Sequence, residues 1–166
     1  MVARIVLRPG RLTLPLLRQA YEEPVRFAIE ARVWPQVARS AATVAALAAR
    51  DDAVYGVNTG FGILAKQRIS RPDLAELQRR LVLSHAVGTG PLLPDAVVRL
   101  ILVLKIASLA RGHSGVRRPV IEALAKLLNA GVYPCIPSKG SVGASGDLAP
   151  LAHLSAMLLG VGEARV

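Results

Sequence analysis

The spacing of apolar residues predicts a chain made mostly of helices, with two of them in its first third. Residues 5–7 form a short extended start, and Pro9 with Gly10 marks a turn. A first helix is predicted to open after Thr13, and a second, rich in alanine, to cover residues 36–50. The beginning of the chain is therefore mixed but mainly helical.

The clearest helix signal follows Pro72 and Asp73. Glu76 lies three residues after Asp73, an arrangement like a capping box. Apolar residues then recur at helical spacing along one stripe, which a histidine shares. The stripe consists of Leu74, Leu77, Leu81 and His85.

Three more helices are predicted downstream, over residues 95–110, 119–129 and 147–159. The first of these is apolar on nearly every side, which is typical of a helix surrounded by other protein. The last accommodates Pro150 because a first-turn position needs no amide donor. The connecting segments are rich in glycine and proline and are predicted to be irregular; they cover residues 55–62, 88–94, 111–115 and 131–137.

The apolar content is high, at 52% of 166 residues, but no segment predicts a membrane span. The most apolar stretch, residues 96–110, is interrupted by Arg99 and Lys105 and is shorter than the roughly 18 apolar residues that a spanning helix needs. The start of the chain lacks the continuous apolar run and cleavage site of a signal peptide. Cys135 is the only cysteine, so no internal disulfide is expected. We therefore expect a soluble, cytoplasmic protein without a membrane partner.

The formal charge of +10 raises the question of nucleic-acid binding. The basic residues are spread along the chain, with only short pairs at residues 79–80 and 117–118, and six aromatic residues offer little surface for base stacking. A solvated basic surface is the better interpretation. We therefore expect no nucleic-acid partner.

The segment from Gly140 to Pro150 places a loop of small residues directly before a helix. A phosphate cradle of the Walker type would need a G-x-x-x-x-G-K-[ST] pattern, which is absent. A hydrolase nucleophile elbow around Ser145 would need glycine where Asp147 stands. An ordinary turn before a capped helix is the commoner alternative for such a pattern.

The same segment resembles the signature of the aromatic amino acid ammonia-lyase family, in which Ala-Ser-Gly-Asp follows a glycine-rich approach. The resemblance implies that Ala144, Ser145 and Gly146 cyclise with loss of two waters to a methylidene-imidazolone, an electrophile made by the protein itself. Glycine leaves its amide nitrogen unhindered, alanine adds little bulk, and the serine hydroxyl is lost to create the alkene. Asp147 is expected to cap the following helix and to orient the loop.

Two further segments resemble this family. The loop Tyr55-Gly-Val-Asn58-Thr-Gly-Phe-Gly looks like its substrate-side loop, which implies a proton-transfer role for Tyr55 and a supporting role for Asn58. The Ser84-His85 pair resembles the histidine-specific branch, in which the histidine contacts the substrate imidazole. The alternative for His85 is a structural role on the apolar stripe, in which its ring is hydrogen-bonded within the core and does not contact substrate.

The resemblance covers essentially the whole chain and implies the first part of a large, mainly α fold with a few short strands and irregular glycine-rich loops. It implies a mixed, mostly helical domain over residues 1–110 and the start of a central helical domain over residues 111–166. Family members are much longer homotetramers whose active sites combine residues from several subunits. We therefore expect the 166 residues to lack later active-site groups and to have little activity by themselves.

The implied reaction is elimination of ammonia from L-histidine to give urocanate, with no external cofactor and no metal. His113 and His153 form no metal-ligand spacing and are interpreted as structural. One alternative is an ammonia-lyase or aminomutase acting on phenylalanine or tyrosine. Another is a catalytically inactive fragment that acts only as a helical interaction module.

Overall fold

The computed structural model describes residues 3–62, 65–143 and 146–166. Within these ranges the α-helices are α1 (Leu14–Glu22), α2 (Trp34–Ala48), α3 (Arg71–His85), α4 (Asp95–Leu109), α5 (Arg118–Asn129) and α6 (Leu148–Leu158). The strands are β1 (Ala3–Leu7), β2 (Val25–Ile29), β3 (Thr89–Leu92), β4 (Tyr133–Pro134), β5 (Pro137–Lys139) and β6 (Ala164–Arg165). The expectation of a mainly α fold with a few short strands is confirmed.

The first two strands form a parallel pair, and α1 makes the crossover between them. Ile5 lies opposite Phe27 in this pair, and both side chains are buried. Thr13 occupies the N-cap position of α1, as the sequence predicts, and its hydroxyl accepts from the Leu16 amide at 3.4 Å. β2 is not among the predicted elements, because a five-residue strand is stabilised mainly by the partner strand it finds.

The core is built around α4. Apolar side chains of this helix are buried against α1 and α5, and α5 packs in turn against β2. Leu104 is nevertheless about half exposed, so α4 is not covered on every side. The fully buried side chains of α4 are Val98, Leu102, Val103 and Ile106, and each contributes about 1.5–3 kcal/mol by leaving water.

One charged residue of α4, Arg99, is also buried. Its Nη2 donates to the Tyr21 carbonyl at 2.7 Å, its Nε donates to the Ala20 carbonyl, and its Nη1 donates to the Tyr133 hydroxyl at 3.2 Å. The two carbonyls lie in the last turn of α1, where a helix leaves acceptors without intrahelical partners. Arg99 therefore fixes the end of α1 against α4.

The start of α3 differs from the prediction. The helix begins at Arg71, with Ser70 at the N-cap position and its hydroxyl 2.5 Å from the Asp73 carboxylate. Glu76 does not act in a capping box; it bonds Arg80 one turn later at 2.7 Å. That hydrogen bond lowers the pKa of Glu76. A cap one turn earlier is favoured because Ser70 has the extended backbone that an N-cap residue needs.

Two segments predicted to be irregular carry short strands. β3 and β5 pair antiparallel, with Thr89 opposite Lys139 and Leu92 opposite Pro137. Strands of two to four residues show no readable alternation, so only their pairing reveals them. The division at residues 110 and 111 stays a prediction. No helix in the described part of the chain is long and apolar enough to cross a membrane.

Candidate active site

The loop before α6 has a backbone that requires glycine. Gly140, Gly143 and Gly146 have φ angles of 149°, 67° and 118°, values that other residues rarely adopt. A Cβ atom at Gly143 or Gly146 would meet no heavy atom within 4 Å, so backbone conformation rather than space demands glycine there. Ala144 and Ser145 lie outside the described residues.

A side-chain hydrogen bond closes this loop. The Ser141 hydroxyl donates to Oδ1 of Asp147, six residues later. Asp147 holds the N-cap position of α6, but its side chain makes no hydrogen bond to a helix amide. Its backbone carbonyl accepts from the Leu151 amide at 3.2 Å. The carboxylate thus ties the loop together at the positive end of the helix dipole.

The turn after α3 packs directly against the loop. A Cβ atom at Gly140 would lie 3.1 Å from the Gly88 Cα and 3.1 Å from the Ala149 Cβ. The pairing of β3 with β5 continues this contact along the chain, and α3 packs on α6. The structure therefore brings the end of α3, where His85 lies, next to the segment that leads into Gly146.

His85 is half-buried and makes local hydrogen bonds. Its Nδ1 lies 2.7 Å from the Leu81 carbonyl oxygen and 3.2 Å from the Ser84 hydroxyl. Because a carbonyl oxygen only accepts, Nδ1 must carry the proton in this geometry. In the neutral ring Nε2 is then a hydrogen-bond acceptor. The expected stripe of α3 is half-buried rather than fully buried at Leu74, Leu77, Leu81 and His85.

Asn58 organises the loop that contains Tyr55. Its side chain is 1% exposed, with Oδ1 accepting from the Val54 amide at 2.7 Å and Nδ2 donating to the Asp52 carbonyl at 3.0 Å. Its backbone carbonyl accepts from the Ile69 amide at 2.8 Å. Asn58 therefore holds both ends of the loop through backbone groups.

Tyr55 itself is 64% exposed, and its ring meets Phe61 edge-on at 5.5 Å. Among the described residues no hydrogen bond, ion pair or ring contact joins Tyr55 to His85 or to Gly146. Two surface depressions of about 400 and 490 Å³ lie along α1, and none of these residues lines them. The fold thus brings the end of α3 and the glycine-rich loop together, and the described contact of the Tyr55 ring is with Phe61.

The sequence gives little sign of two residues that shape this region, Gly88 and His153. Nε2 of His153, on α6, accepts from the Gly88 amide at 3.0 Å across 65 positions of sequence. A pairing over that separation has no local pattern to reveal it. His113 is exposed, and no group of three or more potential metal ligands occurs in residues 3–62, 65–143 and 146–166.

The fold is that of ammonia-lyases and aminomutases. The chain superposes on tyrosine aminomutase from Streptomyces globisporus with a TM-score of 0.91 and 34% identity, over 99% of this chain and 31% of that one. It superposes on histidine ammonia-lyase from Trypanosoma cruzi with a TM-score of 0.87 and 33% identity, over 98% and 31%. The model of the family described as aromatic amino acid lyase matches residues 12–166, and the chain therefore belongs to that family.

Curated relatives are more similar still. Histidine ammonia-lyase of Aromatoleum aromaticum is 61% identical over 162 residues, which are 98% of this chain and 31% of that protein. Histidine ammonia-lyase of Salmonella arizonae is 58% identical over 161 residues, 97% of this chain and 32% of that protein. The chain thus spans about a third of the length of the curated relatives it matches.

Proposed function

We propose that this chain carries part of the active site of a histidine ammonia-lyase, which converts L-histidine to urocanate and ammonia. The observation that carries the proposal is the contact between two segments: the glycine-rich loop before α6 and the turn that follows His85. The high identity to curated histidine ammonia-lyases supports the choice of substrate.

The proposed electrophile is a methylidene-imidazolone made from Ala144, Ser145 and Gly146, without an external cofactor. The residues around it fit that role: Gly146 has an open Cα and a φ of 118°, and the bond between Ser141 and Asp147 holds the loop ends together. When formed, the ring supplies an alkene that accepts the substrate amine. The partial positive charge at the amino end of α6 should favour the approach of an electron-rich group, such as the substrate amine, to this position.

His85 is proposed to bind the substrate imidazole. With Nδ1 donating to the Leu81 carbonyl, Nε2 is available to accept an N–H from the substrate ring. A base must remove a proton from the β-carbon as the C–N bond breaks and the double bond of urocanate forms. We assign proton transfer to Tyr55, with Asn58 as its structural support.

The exposure of Tyr55 supports a site completed by another copy of the chain. We propose a homotetramer in the cytoplasm, in line with the family resemblance, and a small-molecule partner only. A tyrosine-type aminomutase is the second candidate, because the chain superposes on tyrosine aminomutase with a TM-score of 0.91. Release of ammonia from L-histidine by the full natural polypeptide that contains these residues supports the lyase, whereas conversion of L-tyrosine to its β-amino isomer without net release of ammonia supports the aminomutase.

The first experiment is mass spectrometry of the purified full natural polypeptide that contains these residues, with fragmentation across residues 142–148. A deficit of two water molecules localised to residues 144–146 is the expected result. Ser145→Ala removes the hydroxyl that must be lost and should abolish the full deficit. Ser138→Ala, which removes a serine of β5 outside the loop, should retain it. An unmodified mass in the full natural polypeptide would contradict the proposed electrophile.

A further inference from the structure

A histidine outside the predicted site joins α6 to the turn after α3. The Gly88 amide donates to Nε2 of His153 at 3.0 Å. An amide only donates, so Nε2 must be unprotonated and the ring proton of the neutral form lies on Nδ1. This bond links the helix that follows the glycine-rich loop to a residue three positions after His85.

The junction is closely packed. A Cβ atom at Gly88 would lie 3.1 Å from the His153 Nε2 and 3.2 Å from the Pro137 Cβ. On its other side, the Gly88 Cα would lie 3.1 Å from a Cβ atom added at Gly140. Gly88 therefore has no room for a side chain, and the turn packs directly against α6 and β5.

We propose that His153 is a positioning residue for substrate binding. By holding the Gly88 amide, it sets the position of the α3 end, and hence of His85, relative to the loop that contains Gly146. The inference rests on the proposed function, since it assumes that His85 contacts the substrate imidazole. His153 itself need not touch the substrate.

The chemistry of the bond defines the variants. Leucine at residue 153 has no acceptor and leaves the Gly88 amide without its partner, whereas the amide oxygen of glutamine offers one. We therefore expect His153→Leu to weaken substrate binding and His153→Gln to restore it. Ser155→Ala is the matched control on the same helix, because the Ser155 hydroxyl donates to the Leu151 carbonyl of its own helix at 2.7 Å and makes no other hydrogen bond among the described residues.

The test measures kcat and KM for L-histidine in the full natural polypeptide, together with the mass deficit at residues 144–146. His153→Leu should raise KM about tenfold while kcat stays within about threefold. His153→Gln and Ser155→Ala should keep KM within about twofold of the unsubstituted protein. The mass deficit should persist in all three variants.

Gly88→Ala provides a second route if His153→Leu does not fold. Its added methyl group lies 3.1 Å from Nε2 of His153, and it should raise KM in the same direction. An unchanged KM in the folded His153→Leu or Gly88→Ala variant would overturn the inference, as would a glutamine variant as impaired as the leucine one. Failure of the unsubstituted polypeptide to release ammonia from L-histidine would instead overturn the proposed function, and this inference with it.

Discussion

Replacing Asn58 by alanine should loosen the loop that contains Tyr55 while leaving the core folded. The change removes two hydrogen bonds from a side chain that is 1% exposed, one to the Val54 amide at 2.7 Å and one to the Asp52 carbonyl at 3.0 Å. Each contributes about 1 kcal/mol net, and the backbone groups left behind lose their partners. We expect local opening to become easier by about 2–3 kcal/mol.

Amide hydrogen exchange measures this opening residue by residue. A change of that size speeds exchange roughly 30- to 150-fold at amides that the loop protects. The informative amide is that of Ile69, which donates to the Asn58 carbonyl at 2.8 Å. The whole protein should remain folded, because its total stability is expected to be about 5–15 kcal/mol.

Asn129→Ala is the matched control. The Asn129 side chain makes the same pair of bonds to the backbone, accepting from the Phe27 amide at 2.7 Å and donating to the Phe27 carbonyl at 2.9 Å. It should speed exchange at Phe27 and leave Ile69 unchanged. If Asn58→Ala changes exchange at Ile69 by less than about threefold, Asn58 does not hold the loop as argued.

Three further changes test the packing. Arg99→Leu should lower the free energy of unfolding in urea by about 2–6 kcal/mol, because it leaves two carbonyls at the end of α1 unpaired at about 1–3 kcal/mol each; a loss below about 1 kcal/mol would contradict that role. Arg26→Glu should raise the thermal midpoint, and less so at high salt, because Arg26 lies opposite Arg4 in the β1–β2 pair; a lower midpoint at low salt would contradict it. Gly115→Ala should destabilise the fold by at least about 1–3 kcal/mol, because its Cβ would lie 2.2 Å from Val44 Cγ2 and its φ is 68°; unchanged unfolding in urea would refute this.

Several helix ends were predictable because their signal is local, although the cap of α3 was not: it is Ser70, and Glu76 forms no capping box. Thr13 caps α1 as predicted, and α5 ends before Gly131, which has a φ of 69°. α6 begins one residue after Asp147 and tolerates Pro150 in its first turn. Capping, helix ending and periodicity depend on neighbours within a few positions, so the sequence alone contains them.

The sequence also identifies the glycine-rich loop as special, since glycine is the residue type that readily adopts the positive φ angles found at Gly143 and Gly146. The family resemblance adds the chemical interpretation of residues 144–146, which stays a proposal. The predicted role of Tyr55 in proton transfer is also a proposal. Neither depends on knowing what lies across the fold.

Only the tertiary structure decided which distant segments meet. The bond from Gly88 to His153 spans 65 positions, and Arg99 finds carbonyls of α1 almost 80 positions away. Both side chains sit in helices whose periodicity indicates nothing about such partners. Hydrogen bonding of buried polar groups is obligatory, but the choice of partner depends on packing of the whole chain, and a local pattern cannot express it.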